Sequence, residues 1–271
     1  LPEQALQATF SNRLGEIMRN CVAVVLLGAV GAAGVTLADT GSPAAKSGLQ
    51  GNNWASIARL PDWSGVWELD WQSYGAARSM PSPPRLTPEF SARLEKYHQE
   101  QQQGERQQTD TANCVPPGMP QIMTQPYPVE FLFTPGKVTV AIEAYSQMRR
   151  IFTDGRPHQE DPDPTFQGDS IGHWEGDTLV VDTIALIPNS YIAPGINHSD
   201  QVSIQERIRR VSPDTMAIRT TITDPKALVG PWTVTRTYKR HTDWDIKEYI
   251  CNQNNRDSAD AEGRADINLK R

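Results

Sequence analysis

The stretch Val202–Thr223, VSIQERIRRVSPDTMAIRTTIT, decides the fold. In its first half the apolar residues Val202, Ile204 and Ile208 occupy even positions, and side chains alternate across a strand. Two strands, Val202–Val211 and Thr215–Thr223, therefore flank a Ser-Pro-Asp turn. The same period of two begins at Val129 and recurs through Val129–Phe133, Lys137–Ala144, Gln147–Phe152, Ile171–Trp174 and Thr178–Ile184. It continues in Trp232–Lys239 and Asp245–Cys251, and Val66–Trp71 adds an earlier strand. Pro-Gly, Asp-Gly and Glu-Gly-Asp connections mark turns between them. About ten short antiparallel strands predict a mainly β chain folded as an up-and-down barrel, with a strongly bent sandwich as the alternative.

One helix precedes most of these strands. Thr87 is placed to cap it, Pro88 suits its first position, and Phe90, Leu94 and Tyr97 lie on one face of a helix near 88–103. Residues 39–60 are rich in Gly, Ser, Ala and Asn and read as a linker, and 252–271 as a polar tail. A single barrel domain over 61–251 is expected between them. Met18, Arg19 and Asn20 lead into the apolar run Cys21–Ala38, which reads as a signal peptide following an upstream extension at 1–17. A periplasmic or secreted chain without stable membrane insertion follows. In such a compartment Cys114 and Cys251 are candidates for a disulfide. The net charge of −6 argues against nucleic acid as a partner.

The strand pattern also places charges. Glu206 shares a face with Val202, Ile204 and Ile208; Arg236 shares one with Trp232, Val234 and Tyr238; Glu248 shares one with Trp244, Ile246 and Ile250. An isolated buried charge is costly, so these groups should pair with one another or line a wet cavity.

Two resemblances bear on the fold. Gly65-Val66-Trp67 on the first strand resembles the Gly-x-Trp start of lipocalin-type (calycin-like) barrels, which implies a small-molecule cavity. The runs RRIFTDGRPH (149–158), SIGHWEGDTLVVDT (170–183) and ERIRRVSPDTM (206–216), with PWTV and EYICNQNN, resemble a family of exported bacterial β-barrel proteins. That likeness spans roughly residues 60 to 257 and implies no activity.

For chemistry, His158 and His198 lie in long loops with acids nearby, and a histidine oriented by a carboxylate is the commonest acid–base group near neutral pH. The expectation is a barrel binding a small apolar or aromatic molecule, with cofactor-independent lyase or isomerase work. His158 and His198 would transfer protons and Asp161 or Glu206 would assist. Tyr145 and Arg236 would polarise an oxygen, and Trp67, Trp232 and Tyr238 would form the walls, with Glu248 as a further contact. A lipocalin-like carrier without turnover, a structural barrel and a metal-dependent hydrolase with loop histidines are the alternatives. No His-x-His or His-Glu-x-x-His spacing supports the last. Gly168-Asp169-Ser170-Ile171-Gly172 has a nucleophile-elbow spacing, but a strand follows where a helix is required. No phosphate loop, dinucleotide fingerprint or other cofactor motif occurs.

Overall fold

The computed structural model describes residues 50–72, 83–103, 114–188, 190–251, 258–259 and 265–266. The upstream extension, the Cys21–Ala38 run, the first part of the linker and most of the tail lie outside the described residues. Among the described residues no helix is long and apolar enough to cross a membrane.

Nine strands close into a barrel. They are β1 (Val66–Leu69), β2 (Val129–Thr134), β3 (Lys137–Ile142), β4 (Gln147–Phe152), β5 (Asp169–Glu175), β6 (Thr178–Ile184), β9 (Ser203–Ser212), β10 (Thr215–Thr223) and β11 (Trp232–His241). A small hairpin, β7 (Tyr191–Ala193) and β8 (Ile196–Asn197), stands outside the ring between β6 and β9. A ladder of β12 (Ser258–Ala259) and β13 (Ala265–Asp266) forms in the tail. The ring runs β1-β11-β10-β9-β6-β5-β4-β3-β2 and returns to β1. Its pairings are antiparallel except at β4–β5, which are parallel and share only Ile151↔Ser170 and Phe152↔Ile171.

Alternation explains which residues fill the interior. Ile204 and Ile208 of β9, Met216, Ile218 and Ile222 of β10, Leu179 and Val181 of β6, and Val138 and Val140 of β3 are all buried. One mouth is closed by Trp63, whose ring lies 5.2 Å from Phe131, 5.5 Å from Phe133 and 5.1 Å from Trp174. Each such side chain contributes on the order of 1.5–3 kcal/mol by leaving water. Beside that mouth Arg210 and Arg240 both hold Asp62, which also accepts from Ser64. Met119, Ile122 and Met123 cover the opposite side of the interior from the segment carrying the short 3-10 turn Gln121–Thr124. The chain enters β5 through Gly168, at φ +68°, where a Cβ would sit 2.5 Å from the Ile184 carbonyl. Only glycine fits that approach.

Among the described residues two α-helices flank the barrel. In α1 (Trp54–Ile57), inside the expected linker, Asn53 and Ser56 satisfy each other's backbone in a capping box. In α2 (Pro88–Gln102) Thr87 holds the N-cap position without a capping bond; its hydroxyl donates to the Lys226 carbonyl at 2.8 Å. Phe90 is buried, and the β7–β8 turn at Gly195 presses on Tyr97 and Leu94.

The expected strand Asp245–Cys251 does not form. β11 already pairs with β10 and β1, so no free edge remains for it. The segment instead lies against the β3–β4 turn. Lys247 N–H donates to the Glu143 carboxylate at 2.8 Å, the Ser146 hydroxyl donates to the Tyr249 carbonyl at 3.0 Å, and Tyr249 packs between Tyr127 and Tyr145. The Cys114–Cys251 disulfide ties it down, with Cα atoms 5.6 Å apart.

Candidate functional site

Glu206 points inward, as the alternation of β9 requires, and is 1% exposed. Its partner is Arg149 of β4, which is fully buried. Arg149 Nη2 donates to Glu206 Oε2 at 2.5 Å, to the Thr183 hydroxyl at 2.9 Å and to the Ser170 hydroxyl at 3.4 Å. Ser170 and Thr183 also bond each other at 2.9 Å. Ser170 is thus a buried member of a polar network on a strand, a position without the exposure a nucleophile needs. One side chain from β4 therefore reaches β5, β6 and β9 across the interior. Arg149 was hard to find from sequence because only Ile151 marks its face as apolar within β4.

Glu206 also lines a cavity with Thr220 and Ile218 of β10, Arg236 and Tyr238 of β11, and Pro120 and Met123 of the cover. Its volume is about 10 Å³, where one water needs roughly 10–15 Å³. The Tyr238 hydroxyl donates to the Met123 carbonyl at 2.6 Å, which ties the cover to β11. Burial pushes the Tyr238 phenol well above the usual tyrosine range, while the Arg236 and Arg149 guanidiniums oppose that rise and Glu206 adds to it.

The other expected residues are distributed differently. His158 lies against the outer wall: Nδ1 meets Asp169 Oδ2 at 2.8 Å and Nε2 meets Asp182 Oδ2 at 3.4 Å. Asp182 alternates with the inward Val181 and Thr183 and is 51% exposed, so this histidine pins the 153–168 loop from outside. Asp161, in that loop, is exposed. Tyr145 is half-buried beside Tyr249 in the β3–β4 turn, on the outside of the ring. Trp67 and Trp232 are buried, but neither lines the cavity; the Trp67 indole donates to the Trp63 carbonyl at 3.0 Å. Glu248 is exposed, because the strand that would have turned it inward is absent. Glu206, Arg236 and Tyr238 are the expected residues that the fold brings together.

His198 is 1% exposed, and its Nδ1 donates to the Ser199 carbonyl at 2.8 Å. Ser199 in turn donates its N–H and hydroxyl to Asp224, which also accepts from the Lys226 and Ala227 N–H groups. This is a pin between the β8–β9 and β10–β11 connections, and its bonds are separate from those of His158. Burial lowers the His198 pKa from its ordinary 6.5, against opposing contributions from the Ser199 carbonyl and Asp224. The folded chain therefore binds fewer protons than the unfolded one just below pH 6.5. His198 contributes its full stability above that pH and loses it as the pH falls, by at most about 1.4 kcal/mol per pH unit. Urea midpoints at pH 7.5 and 5 should separate less in His198→Gln than in the wild type. Equal separations would remove His198 as the source.

Among the described residues no group of three His, Cys, Asp or Glu side chains could hold a metal ion. Comparison with known proteins finds no matching family model, no matching curated protein and no matching solved structure.

Proposed function

We propose that the chain is an exported binding barrel that takes a small molecule at the cavity between Glu206, Arg236 and Tyr238, without turning it over. The observation that carries this reading is the convergence of polar groups from β9, β10 and β11 on apolar Ile218, Pro120 and Met123. Small-molecule sites combine apolar walls with a few placed polar groups in this manner. A ligand larger than water displaces Met123, a flexible side chain suited to repacking. Acid–base turnover is not part of the proposal, since His158 sits on the outer wall and His198 holds its own loop. Export is supported by the disulfide, a bond that persists in oxidising compartments. A purely structural barrel is the second reading, favoured by an interior filled almost to the last water.

Native mass spectrometry of the chain purified from its natural host provides the test. A retained small molecule, lost in Arg236→Gln, is the expected result. A bare polypeptide mass, together with no thermal shift from a panel of small acids, amines and neutral molecules, leaves the structural barrel standing instead.

A further inference from the structure

Arg207 and Arg219 lie directly across from each other in the β9–β10 ladder. Both point outward, because their neighbours Glu206, Ile208, Ile218 and Thr220 are buried inside. Like charges placed opposite one another destabilise a sheet. The register extends this row to Thr235 of β11, and Gln205, Thr221 and Thr233 form the next row. On the other side Arg209 begins a row that ends at Thr237. These three rows hold three arginines and no acid, aromatic or aliphatic side chain larger than alanine, in a chain of net charge −6. We infer that this wall is a docking surface for an acidic polysaccharide, independent of the interior cavity.

Acids meet the arginines from the margin. Glu175 accepts from Arg207 Nη2 at 2.8 Å, and Asp177 accepts from Arg209 Nε at 3.1 Å. Both pairs are exposed, so each is weak and open to exchange with a competing anion. Each also spends one nitrogen of a guanidinium that has several N–H donors. Arg219 is exposed and has no ionic partner among the described residues.

The class of partner follows from what the three rows lack. Protein interfaces are built on buried aromatic and aliphatic anchors, and membrane-surface docking inserts apolar side chains. Single-stranded nucleic acid stacks its bases on aromatic rings, and a duplex is read by an element that enters a groove. A hydrated chain of sugars bearing carboxylates or sulfates needs none of these. Guanidiniums grip such groups through paired N–H···O bonds, and the exposed hydroxyls of Thr233 and Thr235 meet those of the sugars. Adjacent strands lie about 4.8 Å apart and like-facing residues along a strand about 6.8 Å apart, so one polymer spans all three arginines. Simultaneous contacts give it an affinity that a small anion at one exposed arginine lacks.

The test titrates the whole chain at low ionic strength with sodium alginate, beside neutral dextran, poly-L-glutamate, single-stranded DNA and anionic phospholipid vesicles. Alginate should bind more tightly than the other four and weaken as sodium chloride is added. Arg207→Gln/Arg219→Gln should weaken alginate about tenfold, as the loss of two exposed ion pairs implies. Lys137→Gln/Arg150→Gln removes the same charge from outward positions of β3 and β4, across the ring, and should bind alginate as the wild type does. No binding of alginate, or equal losses in the two double variants, overturns the inference. Binding of poly-L-glutamate, DNA or vesicles as tight as that of alginate gives the wall to another partner and overturns it too. If Arg207→Gln/Arg219→Gln does not fold, Arg219→Gln alone decides, since that side chain has no ionic partner to lose. A weaker alginate titration is then the expected result, and an unchanged one overturns the inference.

Discussion

Arg149→Met should lower the unfolding free energy by about 3–5 kcal/mol, because it strands the Glu206 carboxylate inside the barrel. Glu206→Leu should cost a similar amount by stranding the guanidinium. The double variant Arg149→Met/Glu206→Leu should recover most of the loss. A buried pair exchanged for apolar side chains of similar bulk is often close to neutral, whereas half a pair is not. Ser170 and Thr183 keep each other as partners in the double variant. Urea denaturation of the four proteins gives the coupling energy directly. Single variants within about 1 kcal/mol of wild type, or a double variant as unstable as the sum of the singles, would show that the pair contributes no such coupling. The position of Arg149 suggests why the pair exists. β4 and β5 share two register pairs, whereas β9 and β10 share nine, and the side chain crosses above that short junction to β9.

Removing the disulfide should have an effect of comparable size. Cys114 and Cys251 are 137 residues apart, and closing a loop of that length restricts the unfolded chain by up to about 5 kcal/mol. The Cys114→Ser/Cys251→Ser protein should therefore unfold at a clearly lower urea concentration, with a loss of about 2–5 kcal/mol. The loss should be felt first in the 242–251 segment, whose other ties among the described residues include one hydrogen bond to Glu143, two with Ser146, the stacking of Trp244 on His241 and the ring contacts of Tyr249. Hydrogen exchange at Lys247 and Tyr249 reads this locally. Coincident midpoints for oxidised and serine-substituted protein would show that the folded chain gains nothing from the bond.

How far the sequence alone led depended on local contrast. Residues 215–223 alternate strongly and 178–184 form a short apolar, β-branched run after a turn, so both strands were legible to the residue, and Glu206 was legible as an inward charge because its apolar neighbours flank it on both sides. The alternation of Trp244, Ile246, Glu248 and Ile250 looks equally regular. It is misleading because pairing also needs a free edge, which depends on how the far end of the chain closes the ring. Arg149 illustrates the opposite failure. Gln147 and Arg150 make its strand look polar, and its burial becomes visible only once β9 supplies Glu206 from across the interior. The histidines were recognised as acid-flanked, but sequence spacing does not say on which side of a wall a loop runs.

The parallel seam has a consequence for counting. Strands that alternate in direction around a ring come out even only when their number is even, and this ring holds nine. Parity demands one place where the chain leaves a strand at one level and re-enters the next strand running the same way. A seven-residue strand such as β5 rises about 23 Å, and the return must cover a comparable height outside the ladder. The residues between Phe152 and Asp169 make that return, and His158 fastens it to the wall on the way. Gaining or losing a single strand would let a tight hairpin replace them. The acidic, proline-rich stretch is in this sense a signature of odd parity, needed by the ring before any ligand enters it.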